Sequence, residues 1–216
     1  MSLTQVEIQQ NKNAFLKLVS EIDIPGADTQ GLVEYLITNG FFEAPASTQY
    51  HCNYAGGLCE HSLNVFYTLE KLYEMHKDVL NVTYDRNTLL TVALFHDISK
   101  TDLYEKCVKN EKIYSPQGTK HDNMGKFEWV AVEAFKTRDA KNRFLAGNHE
   151  ENSMLILGRY IPLMHEEMVA ILNHHGGIGK ESNWDLSAIT NAHPLLALLH
   201  SADYLSTFVL ERDSNV

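Results

Sequence analysis

An all-α domain, mostly helical with a short β-hairpin near residues 103–114, is the fold this sequence predicts. Three observations point to it. Apolar residues recur at helical spacing along most of the chain. Gly, Pro and Asn punctuate the ends of those stretches. The length, 216 residues with 44% hydrophobic and 21% charged, suits one ordinary globular domain able to bury a full core.

Taken in order, Val6, Phe15, Leu16, Leu18 and Val19 predict a first helix ending before Pro25-Gly26, and Leu32, Val33, Tyr35, Leu36 and Ile37 a second that stops at Asn39-Gly40. Residues 1–40 therefore read as an N-terminal helical segment packed on the same domain, and 41–216 as the domain proper. From Phe41 to Gly57 the chain is loop-like, with Pro45, Ser47, Asn53 and Gly56-Gly57. A long helix follows from about Leu58 to His76, striped by Leu58, Val65, Leu69 and Leu72. Asn87 to Asp97 is a compact apolar helix. Tyr104, Cys107, Val108, Ile113 and Tyr114 flank the turn-like Asn110-Glu111 and predict the hairpin. Ser115 to Asn123, with Pro116 and Gly118, reads as an exposed loop. Helical spacing returns at Phe127 to Phe135, around Met154 to Leu157, at His165 to Asn173 and at Pro194 to Leu210. There is no internal repeat and no low-complexity tract.

Lys and Arg number 18 against 28 Asp and Glu, a formal net charge of −10. Such a surface does not draw in nucleic-acid backbone over a wide area, so extended nucleic-acid binding is not expected. A small anion drawn to bound cations remains compatible with it. Cys52, Cys59 and Cys107 are odd in number and lack CxxC spacing, which predicts reduced thiols and no sulfur-based zinc site. Met1 to Asn13 is polar, without a signal-peptide core, and no stretch approaches eighteen apolar residues. The expected location is cytoplasmic.

Against this background one set of side chains stands out: His61, the doublet His96-Asp97, His149, the doublet His174-His175, and Asp203. Imidazole nitrogen and carboxylate oxygen are what a borderline divalent metal takes from a protein. The gaps from His61 to His96, Asp97 to His149, His149 to His174 and His174 to Asp203 are 35, 52, 25 and 29 residues, so these groups meet only through folding. His96 and Asp97 stand at a helix end, where adjacent side chains diverge and can serve two ions. Asp203 lies among Leu195, Leu196, Leu198, Leu199 and Leu205, where a carboxylate needs a cation or hydrogen-bond partners.

The order H…HD…H…H…D resembles the HD-domain superfamily of metal-dependent phosphohydrolases over roughly Gly56 to Leu210. The strings that carry it are GGLCEHSLNV, ALFHDISK, NHEENS, LNHHGG and LLHSADYLS. A bare HD dipeptide is uninformative; five strings in order are specific. The resemblance implies a helical bundle with the metals in a central cleft. His61, His96, Asp97 and Asp203 would hold a first ion, and Asp97 would bridge to a second held by His149 and His174. One or two divalent transition-metal ions (Mn, Fe, Co, Ni or Zn) suit that donor set better than Ca. Lys100 completes an HD-x-x-K string and would bind a phosphate oxygen as a point charge, with His175 as a further substrate contact. Ser99 departs from the glycine common at that position.

The implied function is hydrolysis of a phosphoester, mono- or diester, of a nucleotide or related small molecule, through a metal-bound hydroxide with Asp97 and Lys100 as catalytic groups. The segment Asp102 to Asn123 would then lie over the cleft mouth, with Tyr104, Lys106, Lys109 and Lys112 near the substrate. Three rivals keep a place: a 3′-5′ exoribonuclease-like HD enzyme, a diiron HD-type oxygenase, and a non-catalytic nucleotide- or metal-binding regulatory module.

Taken singly, each residue has a bland explanation. His61 could be a hydrogen-bonded core histidine, Asp203 a helix residue paired with His200 or Tyr204, and Lys100 a helix-end lysine favoured by the dipole. His51 reads as a surface loop residue, Glu150 and Glu151 as helix-dipole carboxylates, and His200 as a partner for Asp203. The ordered set as a whole makes the metal reading the stronger one.

Overall fold

The computed structural model describes residues 2–176 and 184–211. Gly177 of the LNHHGG string and the last residues of the predicted domain, 212–216, lie outside that range.

Helix α1 (Gln5–Val19) opens with a capping box between Thr4 and Glu7, and α2 (Thr29–Thr38) is capped by Asp28. Phe15 of α1 meets Phe41, Phe42 and Phe95 with ring centroids 4.9 to 5.7 Å apart, so the N-terminal helix joins the same hydrophobic core as the ligand-bearing helices. Helix α3 (Gly57–His76) begins where the chain passes very close to itself. A Cβ on Gly57 would stand 2.1 Å from the Cys52 carbonyl oxygen, and Gly56 before it has φ +83°. That tight start fixes the first turn of α3 and with it His61.

Helix α4 (Arg86–Phe95), capped by Asp85, is buried on every side from Thr88 to Phe95. It packs against α1, α3 and α7 and is the centre of the bundle. The one-turn helix α5 (Lys100–Leu103) leads into an antiparallel sheet of β1 (Tyr104–Tyr114), β2 (Lys120–Asp122) and β3 (Gly125–Thr137), in the order β1-β3-β2. A 3₁₀ turn (Ala140–Asn142) returns the chain to α6 (His149–Leu157) and α7 (His165–Asn173). Helix α8 (Trp184–Ala192) precedes α9 (Pro194–Leu205), which starts on a proline and packs on α3 and α7. A π-helical turn (Ser206–Leu210) continues α9. Among the described residues no helix is long and apolar enough to cross a membrane.

The insertion corrects the sequence reading in three places. Asn110 and Glu111 are no turn: they pair with Ala131 and Val130 in the middle of a continuous strand. Residues 127–135, expected to be helical, form most of β3. Phe127, Val130, Ala131, Ala134 and Phe135 fall at i, i+3, i+4, i+7 and i+8, which is helical spacing. The segment is nevertheless rich in aromatic and β-branched residues, and its pairing with β1 from Tyr104↔Thr137 to Tyr114↔Phe127 decides the outcome. The expected exposed loop likewise contains β2.

Candidate metal centre

Helix ends deliver most of the predicted ligands. His96 is the C-cap of α4, His174 the C-cap of α7, and His149 the first residue of α6, whose N-cap Asn148 accepts from the Glu151 amide. His61 projects from the second turn of α3 and Asp203 from the last turns of α9. His61, His96, Asp97, His174 and Asp203 are all buried.

These groups converge on Asp97. Its Oδ2 lies 3.3 Å from His96 Nε2 and 3.7 Å from His61 Nε2, and its Oδ1 lies 3.6 Å from His149 Nε2 and 3.7 Å from His174 Nε2. Asp203 Oδ1 lies 3.2 Å from His61 Nε2. Two ligand atoms each about 2.1 Å from one ion, at angles near 100–110°, are roughly 3.2–3.4 Å apart. The two carboxylate oxygens therefore face two separate histidine pairs at near-ligand spacing.

The donor atoms are also left without other partners. The Nε2 atoms of His61, His96, His149 and His174 and Asp97 Oδ1 are buried with no hydrogen-bond partner among the described residues. Buried polar atoms are rarely left so, and here they share one focus. The opposite ring nitrogens are engaged. His96 Nδ1 donates to the Ala93 carbonyl at 2.9 Å and His174 Nδ1 to the Ile171 carbonyl at 2.7 Å. His61 Nδ1 meets the Glu211 carboxylate at 3.0 and 3.1 Å. Such contacts fix the tautomer that turns a bare Nε2 lone pair inward. The residues fit a divalent transition metal, and within the set His61/His96/Asp203, His96/Asp97/His174 and His149/His174/His175 each bring three ligand atoms within 4.8 Å of one another.

The electrostatics agree. Burial works against charge on Asp97, but Lys100 and His96 hold its carboxyl well below the usual range. Burial opposes a proton on His61 too, yet Glu211 and Asp203 push that imidazole up to about 10. A field that favours a proton there equally favours a metal ion. Burial lowers His149 to about 4 and also lowers His174, keeping both neutral as ligands must be.

Lys100 is no surface lysine. It is buried, with Nζ 2.6 Å from Asp97 Oδ2; burial disfavours its charge, but Asp97 overcomes this and raises the ammonium above its usual value. Ser99 has its own explanation. Its hydroxyl donates to the His149 carbonyl at 2.7 Å and its amide to Ser153 Oγ at 3.2 Å, tying the doublet to the start of α6.

Beside the ligand cluster lies a cavity of about 470 Å³. Lys100, Asp203, His175 and His51 form its inner wall, and Tyr50, His200, Tyr204, Thr207 and Phe208 the remainder. His175 Nδ1 is held by Glu150 at 3.2 Å. Lys106, Lys109 and Lys112 do not line this cavity, and Lys112 is paired instead with Asp122 at 2.6 Å. His200 Nδ1 lies 2.6 Å from the His174 carbonyl. Gly176, at φ +63°, makes room for that ring: a Cβ there would lie 2.6 Å from it.

Sequence reasoning missed three groups. Glu211 carries no local signal. Glu150, read as a helix-dipole carboxylate, approaches His149 Nδ1 at 3.3 Å and His175 Nδ1 at 3.2 Å. His51, read as a surface residue, has its ring 4.9 Å from that of His61.

A dihydroneopterin 2′,3′-cyclic phosphate phosphodiesterase of Methanocaldococcus jannaschii is 34% identical over 84 residues, 39% of this chain and 33% of that protein. The match thus spans about a third of that relative's length. No solved structure matches the chain. The HD domain model matches residues 58–207, a span that includes all six predicted ligands, and the chain belongs to the HD domain family.

Proposed function

We propose that this protein is a metal-dependent phosphohydrolase whose substrate is a phosphoester, mono- or diester, of a nucleotide or related small molecule. The observation that carries the reading is Asp97, whose two oxygens face the pairs His61/His96 and His149/His174, all four with unpartnered Nε2 atoms. His61, His96, Asp97 and Asp203 would hold one divalent ion, and Asp97, His149 and His174 a second. When bound, such ions supply water acidified to act near neutral pH and positive charge opposite the phosphoryl oxygens.

The chain's own residues do the rest. Lys100 Nζ, on the cavity wall beside Asp97, places a fixed positive charge where a phosphate oxygen would enter. His175 lines the same wall with its ring held by Glu150, leaving Nε2 to contact a substrate oxygen. Tyr50, Tyr204 and Phe208 give the cavity a largely apolar, aromatic side suited to a planar heterocycle. At about 470 Å³ it suits a mononucleotide-sized ligand better than an RNA strand. The relative is named for a cyclic phosphodiester of a pterin, so 2′,3′-cyclic phosphates of pterins and nucleosides are the first substrates to try.

The test is turnover of cyclic diesters and monoesters by protein loaded separately with Mn, Fe, Co, Ni or Zn. Hydrolysis that falls at least a hundredfold in Asp97→Ala supports the reading. Absence of hydrolysis with every metal across both substrate classes overturns it.

A further inference from the structure

A second cavity, about 820 Å³, is separate from the one beside the ligand cluster. The one-turn helix α5 lies between them: Lys100 lines the smaller, while Thr101 and Asp102 line the larger. In a chain of net charge −10, this second cavity is lined by Arg138, Lys141, Arg143 and Arg159 against a single carboxylate, Asp102.

That carboxylate is already committed. Asp102 Oδ1 accepts from Arg138 Nη1 at 3.3 Å, and Oδ2 from the amides of Phe144 at 2.6 Å and Leu145 at 3.4 Å. Arg138 Nε remains buried without a hydrogen-bond partner, Glu105 standing 3.9 Å away. Arg143 is oriented by its Nε, which donates to the Arg138 carbonyl at 3.0 Å. Neither Arg143 nor Arg159 has a carboxylate partner among the described residues. Arg138 is paired with Asp102, and Lys141 with Asp139 at 3.3 Å; the guanidinium groups of Arg143 and Arg159, without counter-charge among the described residues and one of them pre-oriented by the backbone, form a receptor for tetrahedral oxyanions. Phe144, 64% exposed, lies under Arg159 with the guanidinium carbon 5.2 Å from the ring centroid, which offers a flat surface beside the charges.

We propose that this cavity is a second ligand site, binding a small oligophosphate, free or carried by a nucleotide, independently of any metal. Two unpaired guanidinium groups, with Arg138 and Lys141 beside them, suit two or three linked phosphates better than one. Tyr35, Thr38 and Asn39 on the opposite wall supply neutral hydrogen-bonding groups.

The experiment is calorimetric titration of the full chain in chelator, at low salt, with inorganic triphosphate and separately with adenosine triphosphate. No metal and no turnover are involved, so its failure is distinct from failure of the phosphohydrolase reading. Binding is expected in the wild type and in Lys100→Gln, and at least tenfold weaker in the double variant Arg143→Gln/Arg159→Gln, whose side chains leave the core untouched. Circular dichroism establishes that each variant is folded. Tighter binding of the nucleotide, reversed by Phe144→Ala, assigns a nucleotide; equal binding assigns the oligophosphate alone, and both support the site. No binding of either probe overturns the proposal, as does binding lost in Lys100→Gln but kept in the arginine double variant.

Discussion

Lys100 Nζ sits 2.6 Å from Asp97 Oδ2, the same carboxylate oxygen that faces His61 and His96. An ammonium and a divalent ion thus contend for one oxygen. Removing the ammonium leaves Asp97 buried and without its nearest counter-charge, a loss that typically costs about 3–5 kcal/mol. Lys100→Met is therefore expected to lower the melting temperature of chelated protein and to enlarge the stabilisation that added metal produces. Thermal melts with and without metal check this. An unchanged metal-induced shift would show that Lys100 and the ion do not share Asp97.

Metal removal itself is expected to destabilise the wild type, because four buried Nε2 atoms and Asp97 Oδ1, without hydrogen-bond partners among the described residues, would lose the ion. Elemental analysis of protein purified without chelator should find about two ions per chain, and few in Asp97→Ala, since that carboxylate faces both histidine pairs. One ion per chain in the wild type would restrict binding to one side of Asp97.

How far the sequence reached follows from what kind of signal each group leaves. The six candidate ligands were legible because they are chemically unusual residues at helix ends or on apolar helices. Lys100 was legible in position but not in environment, since nothing local distinguishes a buried lysine from a helix-end one. Glu211 left no trace: it reaches His61 from 150 residues away through the π-helical turn after α9, a purely tertiary relationship. The β3 segment misled because its apolar residues satisfy both the helical and the strand period, and only the partner strand chooses.

Metal affinity is expected to rise with pH well beyond the usual histidine range. In chelated protein His61 is raised from 6.5 to about 10. Its protonated contact with Glu211 and Asp203 contributes stability that is fully present below pH 6.5 and lost as pH rises through about 10. A metal needs the neutral ring, so protons compete with it across that window and less so toward its upper end. Competition titrations between pH 6.5 and 9 should show tightening throughout. A plateau from pH 7 upward would mean that His61 is already neutral there and its proton is not what the metal displaces.

The aromatic side of the smaller cavity gives a prediction about specificity. Tyr204 is 52% exposed, its ring 4.6 Å from that of Phe208 at a tilt of 43°, and both line the cavity. Tyr204→Ala should raise KM for a heterocyclic phosphoester by about tenfold while leaving kcat within about twofold, the pattern of lost uniform binding. A fall in kcat with unchanged KM would move Tyr204 from holding the ring to shaping the reaction.

Glu211 offers the sharpest separation of ligand from support. Its carboxylate is buried, holds His61 Nδ1 at 3.0 Å and receives Asn64 Nδ2 at 3.0 Å, so it fixes the ring that aims Nε2 at Asp203 and Asp97. Glu211→Gln keeps shape and a hydrogen-bonding oxygen but removes the negative charge that strengthens the imidazole as a donor. Outer carboxylates of this kind typically contribute about 10–100-fold in metal affinity. The variant should therefore need about that much more metal for half-occupancy in a direct binding titration, yet reach the wild-type stoichiometry at saturation. His61→Ala, which deletes the donor atom itself, should instead lower the stoichiometry. If Glu211→Gln also loses an ion at saturation, the carboxylate is itself a ligand, in the His51/His61/Glu211 group whose donor atoms lie within 4.8 Å of one another.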